Sequence, residues 1–230
     1  MVTILIDLES EKQLAAKEAV KLIGNHQIVG LGTGSTAKYA IAEIGKLVKD
    51  GLQIKAVATS IHTAELATSL NIPLVTIDSV LSIDITIDGT DEFTKDLTLI
   101  KGGGGALLRE KIVASLSKKT IIIADSSKLV TVLGKFKLPI AVLPIAFNYV
   151  LQQIKNLHGT GELRTVSGKP FITDEGNYIV DAHFGWIDNP ASLSADLNNV
   201  SGIVVHGLFI NLASKVIMGK GGATITFMPK

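Results

Sequence analysis

The 230-residue sequence contains no cysteine, which excludes disulfides, thiolate catalysis and cysteine-bound zinc and fits a reducing cytosol. It has no surplus of either charge: 22 basic against 21 acidic residues leave a net +1, with no long basic run, so electrostatic capture of nucleic acid is not expected. Histidine is sparse. His26, His62, His158, His183 and His206 are scattered without the spacing of metal ligands. No apolar run is long enough to span a bilayer, since the most apolar interior segment, Leu138 to Leu151, is interrupted by Pro139 and Pro144. The N-terminus, MVTILIDLESEKQ, lacks the basic start and small-residue cleavage site of a secretory leader. These absences point to a soluble, cytoplasmic globular protein without nucleic-acid or membrane partners. The 47% hydrophobic content supports a large buried core in one large domain or two small ones.

Periodicity predicts an alternation of strands and helices. Ser10 with Gln13 reads as a capping box for a first helix that stops at Gly24. "QIVGLG" reads as a buried strand, followed by a helix from about Ser35 to before Gly51. "IKAVAT" and "PLVTID" read as strands around a helix through Leu70, and "LSIDITID" places Ile83, Ile85 and Ile87 on one strand face. Ala106 to Leu116 reads as helix and "TIIIAD" as strand. This order implies a mostly parallel sheet with helices on both faces.

From "KLPIAVLP" onward the order changes. A helix striped by Ala146, Val150, Ile154 and Leu157 follows, then strands in "GELRTV" and "YIVDAHF". A second helix opens at Asn189-Pro190, and "GIVVHGLF" is a closing strand. That is the β-α-β-β-α-β pattern of ferredoxin-like domains. The tail, "SKVIMGKGGATITFM", reads as a glycine-turn hairpin returning to the first domain. The fold class expected is therefore α/β, a Rossmann-like sheet domain (1–137 plus 208–230) with a smaller ferredoxin-like α+β lid (138–207).

Against this frame, several residues invite a chemical reading. "GLGTGST" (Gly30 to Thr36) lies between a strand and a helix, where backbone N–H groups favour an anion. It is neither a dinucleotide fingerprint, since Ser35 stands where glycine belongs and the next strand ends at Thr59 instead of an acid, nor a P-loop. Thr33, Gly34, Ser35 and Thr36 suit a terminal phosphate, although a bare strand-to-helix turn explains them about as well. The four glycines Gly102 to Gly105 each weaken ordered structure by roughly 0.5–1 kcal/mol relative to alanine, which suggests backbone closely approaching a ligand. Glu110 lies between Arg109 and Lys111 in an apolar helix, and its neighbours three and four residues away are Ala106, Leu107, Val113 and Ala114. A carboxylate so surrounded is desolvated and its pKa raised, as a general base near neutrality requires. Asp88 ends a strand, Asp91 follows three residues later, and strand C-termini are where open parallel sheets bind ligands. Lys101 could neutralise an oxyanion and Lys128 a phosphate.

Taken in order, "TGST" (33–36), "DGTD" (88–91), "KGGG" (101–104), "REK" (109–111) and "ADSSK" (124–128) closely resemble the motifs of the ribose-5-phosphate isomerase A family. The resemblance runs on through "LPIAVLP", "TDEGNYIVDAHF" and "GLFINLASKVIMG", covering nearly the whole chain, with Thr90 where many relatives have alanine. It implies interconversion of D-ribose 5-phosphate and D-ribulose 5-phosphate in the pentose phosphate pathway, without cofactor or metal. In that reading Glu110 moves a proton between C2 and C1 through an enediolate, while Lys101 and the backbone of Gly102, Gly103 and Gly104 stabilise its oxygens. Asp88 and Asp91, with Gly89 and Thr90 between them, bind the sugar and help open its ring. Thr33 to Thr36 and Lys128 hold the phosphate end, and Lys12 is a further candidate there. The family assembles as homodimers or homotetramers. Two other readings carry distinct forecasts: an amino-sugar-phosphate deaminase would release ammonia, and a sugar-phosphate sensor would need a DNA-reading module for which the chain has no room.

Overall fold

The computed structural model describes residues 7–229. In chain order the elements are α1 (Leu8–Val20), β1 (Ile28–Leu31), α2 (Ala37–Lys49), β2 (Lys55–Ala58), α3 (Ile61–Ser69), β3 (Ile85–Asp88), β4 (Glu92–Phe93), β5 (Leu99–Ile100), α4 (Leu107–Leu116) and β6 (Thr120–Ala124). After these come β7 (Leu138–Val142), α5 (Phe147–Asn156), β8 (Thr160–Leu163), β9 (Thr165–Val166), β10 (Lys169–Pro170), β11 (Tyr178–His183), α6 (Pro190–Asn198) and β12 (Ile203–His206). Last come β13 (Leu208–Phe209), β14 (Lys215–Lys220) and β15 (Ala223–Phe227).

The large sheet has the order β15-β14-β6-β3-β1-β2, parallel throughout except for the antiparallel edge strand β15. The tail thus forms the expected hairpin and joins this sheet beside β6. Its strands are apolar on both faces because both are covered. Ile121, Ile123, Ile85 and Ile87 pack with α1 and α2, whereas Ile122, Ala124, Val216 and Met218 pack with Phe93 and Phe209 on the other side.

The second sheet has the order β12-β7-β11-β8, all antiparallel, which is the ferredoxin-like arrangement. Strand alternation divides its two faces. Ile140, Val142, Val180 and Ala182 pack beneath Val150, Ile154 and Leu197 of α5 and α6. Ala141, Ile179 and Val205 face the other way, onto Leu107 of α4. Helix α4 also presents Val113 to Val57 and Ile83 at the large sheet. It therefore lies between the two sheets, and that position decides the fate of Glu110.

Four local expectations are corrected. Asp7, not Ser10, caps α1: the Asp7 carboxylate accepts from the Ser10 N–H at 3.1 Å, one turn before the expected start. "PLVTID" forms no strand. Only Leu74 bridges Ala56, because Pro73 has no N–H to extend the ladder and Ile77–Ser79 winds into a 3₁₀ turn. "GELRTV" breaks at Arg164, since β9 folds back on β10 through Ser167 and Gly168, both at positive φ, a turn that a right-twisted hairpin favours. "GIVVHGLF" breaks at Gly207 and changes sheets: β12 pairs with β7, whereas β13 pairs with β5. A side chain at Gly207 would come within 2.3 Å of the Lys101 carbonyl oxygen, so the crossing requires glycine.

Candidate active site

The parallel strands β1 and β3 end side by side, and the loops that leave them form two walls of a cavity of about 220 Å³. Its lining contains Thr33, Gly34, Ser35, Thr36, Gly89, Thr90, Asp91, Lys101, Gly102, Gly103, Gly104, Glu110 and Lys128. Gly105, Lys12 and Asp88 are outside that wall, Asp88 being in contact with Lys101, whereas the other residues given a binding or catalytic role from the sequence line it. The Lys12 ammonium is paired with Glu9 at 2.6 Å.

The buried charges form one network. Lys101 Nζ lies 3.0 Å from Asp88 Oδ2 and 3.4 Å from Glu110 Oε1, and it donates to the Gly89 carbonyl at 2.7 Å. All three side chains are at most 5% exposed. Burial disfavours charge on the lysine, but Asp88 and Glu110 outweigh it and hold the ammonium well above its ordinary pKa. Asp88 is pushed up by burial, opposed by Lys101 and by the N–H groups of Gly89 (2.7 Å) and Thr33 (3.1 Å) that its Oδ1 accepts.

Glu110 is pushed up to about 8, chiefly by burial, with Lys101 opposing and Asp88 and Asp91 reinforcing the rise. Its Oε2 is buried and meets no donor. An uncompensated carboxylate oxygen in a cavity wall is costly to fold around and suits an atom that exchanges a proton with a ligand. The three adjacent charges of α4 diverge as their 100° spacing requires. Arg109 Nε reaches Glu175 at 2.5 Å, Glu110 faces the cavity, and Lys111 donates to the carbonyls of His206 (2.6 Å) and Leu208 (2.9 Å) at the sheet crossing.

The glycine run is explained by contacts as well as conformation. Gly102 adopts φ +99°, and a Cβ at Gly103 would lie 2.5 Å from Asp91 Oδ1. That close approach lets the Gly103 N–H donate to Asp91 Oδ2 at 2.7 Å. On the opposite wall the first intrahelical bond of α2 runs from Lys38 N to Gly34 O, so the N–H groups of Ser35, Thr36 and Ala37 precede the ladder and have no partner within the helix. Lys128 is brought to the same end by a 3₁₀ turn that two acids organise. Asp125 accepts from Ser127 N at 3.0 Å and buried Glu11 from Ser126 N at 2.8 Å.

Two hydroxyls in the cavity wall have protein partners. Thr90 Oγ1 donates toward the carbonyls of Glu92 (2.7 Å) and Ile100 (3.0 Å). Thr33 Oγ1 joins a cluster with Thr59 (2.7 Å), Ser60 (2.9 Å) and Thr63 (3.1 Å), which ties the β1–α2 turn to the start of α3. Sequence reasoning passed over this cluster, although "TSIHT" after β2 carries all three partners. It also passed over Arg164, whose Nη1 donates to the carbonyls of Gly102 and Gly103, both at 3.0 Å. A larger adjoining cavity of about 510 Å³ shares Thr33, Gly34, Ser35 and Gly104, but is otherwise walled by Ile41, Leu66, Phe171 and neighbours and contains none of the buried ionisable groups. Among the described residues, no group of three or more histidine, cysteine or acidic side chains is arranged to hold a metal ion.

Known proteins share both the sequence and the shape. A family model described as Ribose 5-phosphate isomerase A (phosphoriboisomerase A) matches residues 55–222. Ribose-5-phosphate isomerase A of Sphingopyxis alaskensis is 46% identical over 212 residues, spanning 92% of this chain and 93% of that one. The enzyme of the same name from Bacillus mycoides is 48% identical over 209 residues, or 90% and 95% of the two chains. Among solved structures, a D-ribose-5-phosphate isomerase in complex with phospho-erythronic acid superposes with TM-score 0.93 at 37% identity, covering 96% of this chain and 99% of that one. Ribose 5-phosphate isomerase from Plasmodium falciparum gives 0.93 at 38% identity, over 97% and 100%.

Proposed function

The chain belongs to the ribose-5-phosphate isomerase A family, and we propose that the cavity around Glu110 is where it interconverts D-ribose 5-phosphate and D-ribulose 5-phosphate. The protein is an aldose–ketose isomerase, acting in the pentose phosphate pathway. The observation that carries the assignment of roles is Glu110 Oε2, a buried carboxylate oxygen without a partner beside the Lys101 ammonium.

Starting from the aldose, Glu110 takes the proton from C2, and the electron pair moves to the carbonyl oxygen at C1 to give an enediolate. Lys101 and the glycine backbone stabilise the developing oxyanion. The same carboxyl then returns the proton to C1, while a proton passes from O2 to O1. Asp88 and Asp91 bind the sugar hydroxyls and assist ring opening, and the start of α2 with Lys128 holds the phosphate. A relative binds phospho-erythronic acid, a phosphorylated aldonic acid whose carboxylate oxygens resemble the paired oxygens of an enediolate, which supports this reading. The site needs no metal in this scheme, because Lys101 supplies the positive charge.

We further read residues 138–207 as a lid, supported by the way the second sheet covers α4 and reaches the glycine run. Assembly as a homodimer or homotetramer is supported by the exposed Leu143, Ile145 and Tyr149 around the start of α5. A cytoplasmic location fits a chain without cysteine in which no helix of the described residues is long and apolar enough to cross a membrane.

The direct test is formation of ribulose 5-phosphate by the purified protein, with unphosphorylated ribose as comparison. The phosphate contacts position the reacting carbons, so kcat/KM for ribose should be lower by several orders of magnitude, and comparable values would refute phosphate anchoring. The pH dependence follows from Glu110. The base must be ionised, and burial has raised its pKa to about 8, so kcat/KM should rise with pH through that region and level off above it. A rate already level from pH 5 upward would show that the essential carboxylate is not a desolvated one.

A further inference from the structure

Arg164 lies in the second sheet, at the corner where β8 gives way to β9, yet it touches the glycine run of the first. Its guanidinium is held from behind by Asp181 of β11: Nε donates to Oδ2 at 2.9 Å and Nη2 to the other carboxylate oxygen. The corner itself is fixed by the Arg164 N–H donating to Ile179 O at 2.8 Å. Phe171, whose own N–H bonds to Arg164 O at 2.9 Å, puts its ring beneath the guanidinium at 5.9 Å and against Gly105. Only 13% of the arginine side chain is exposed, and 19% of the aspartate.

Nη1 bridges two successive carbonyls, Gly102 O and Gly103 O, each at 3.0 Å. Each carbonyl belongs to a peptide group whose N–H is on the next residue. The first of these N–H groups is that of Gly103, which donates to Asp91 Oδ2 at 2.7 Å. The second is that of Gly104, a residue of the cavity wall for whose N–H no protein acceptor occurs among the described residues. A chain of hydrogen bonds therefore runs from the Asp181 carboxylate through the guanidinium and one peptide to Asp91, with a second arm ending at the Gly104 N–H. A cation on the oxygen side of a peptide strengthens the donor on its nitrogen side, and the effect accumulates along such chains. The planar fork of arginine is the group that can hold a carboxylate and two carbonyls together.

We propose that Arg164, oriented by Asp181, is a positioning residue for the isomerisation, fixing and polarising the peptides of Gly102 to Gly104 so that Asp91 and the Gly104 N–H meet the reacting end of the sugar. This rests on the isomerase reading above, and the two fail separately. Absence of isomerase activity in the unaltered protein would remove that reading, whereas an active protein indifferent to Arg164 would remove this one.

The experiment is steady-state kinetics of the intact protein and of Arg164→Met, Arg164→Lys and Asp181→Asn, each with its melting curve. In Arg164→Met, kcat for ribose 5-phosphate should fall by roughly 10- to 100-fold, the scale of loss from a displacement of about 1 Å in a positioned group. KM should stay within about threefold, because the phosphate end is held on the opposite wall by the β1–α2 turn. Arg164→Lys restores the charge but not the fork, so its kcat should lie between the two. A merely structural tie between the sheets would lower the melting temperature and leave kcat per folded molecule unchanged. A folded Arg164→Met protein with kcat within twofold of the parent, or a loss confined to KM, overturns the proposal. If Arg164→Met does not fold, Asp181→Asn decides alone: it keeps the guanidinium but removes its charged support, and an unchanged kcat there overturns the proposal equally.

Discussion

Glu110→Gln should lower isomerase turnover by at least the ~10²–10⁴-fold typical of losing general acid–base catalysis, while substrate affinity changes little. The amide keeps the size and shape of the side chain, and the phosphate-end residues and Asp88 are untouched. What is lost is the ability of the Oε2 position to take a proton, and that atom meets no donor in the protein. Stability should move the other way. An acid whose folded pKa is raised from 4.5 to about 8 leaves the native state holding a proton that the unfolded chain has already released. Stability from this group is therefore present below about pH 4.5 and lost as pH rises towards 8. Glutamine carries no such dependence, so the variant should melt at or above the parent temperature at pH 8. Measuring turnover, substrate binding and melting on this one variant separates the readings, since a carboxylate of purely structural use would tolerate glutamine with near-normal turnover.

Much of this site was legible because its local signals agree. The apolar residues three and four positions from Glu110 foretold a buried carboxylate, and the structure gives the reason: α4 is packed between two sheets, and Glu110 shares its buried side with Leu107, Val113 and Ala114, while Ile112 and Ser115 remain exposed. The glycine run reads from the sequence as backbone approaching a ligand, and the close approach that the structure records is that of the Asp91 side chain to Gly103. The misses have a common cause in tertiary partners that no local pattern encodes. Arg164 read as a strand residue in "GELRTV", because nothing near it in sequence reveals that its acceptors lie about 60 residues earlier. Thr33 reads from the sequence as part of a phosphate turn and Thr59 as a strand end, and only the convergence of their hydroxyls with those of Ser60 and Thr63 makes a cluster. Strand ends failed for backbone reasons. Pro73 withheld a donor, and Gly207 let the chain pass from one sheet to another within a run that looked like a single strand.

Lys101→Met should produce the other large effect, and its dependence on pH identifies the lysine's role. Methionine fills similar volume but leaves Asp88 and Glu110 without the ammonium that lies 3.0 and 3.4 Å from them. Breaking a buried pair in this way costs about 3–5 kcal/mol, which for a chain of this size lowers the melting temperature by roughly 6–20 °C. The deficit should grow with pH. With no cation nearby both carboxyl groups are raised further, the native state retains protons that the unfolded chain releases above about pH 4, and stability falls as pH climbs from there. The variant should therefore lie closest to the parent at the acid end of the range, at about pH 4 and below. Activity distinguishes two uses of the lysine. As a counter-ion that merely keeps Glu110 ionisable, its loss would be repaired by raising the pH past the new pKa of Glu110. As the donor to the enediolate oxygen it is missing at every pH, and kcat per folded molecule should stay lower by ~10²–10³-fold, the range measured for removing one oxyanion donor. The measurement is kcat from pH 5 to 9.5 on the folded fraction. Recovery to within a few-fold of the parent at high pH would reduce Lys101 to a partner for Glu110, and a loss that persists across the range would leave it as the group that carries the oxyanion.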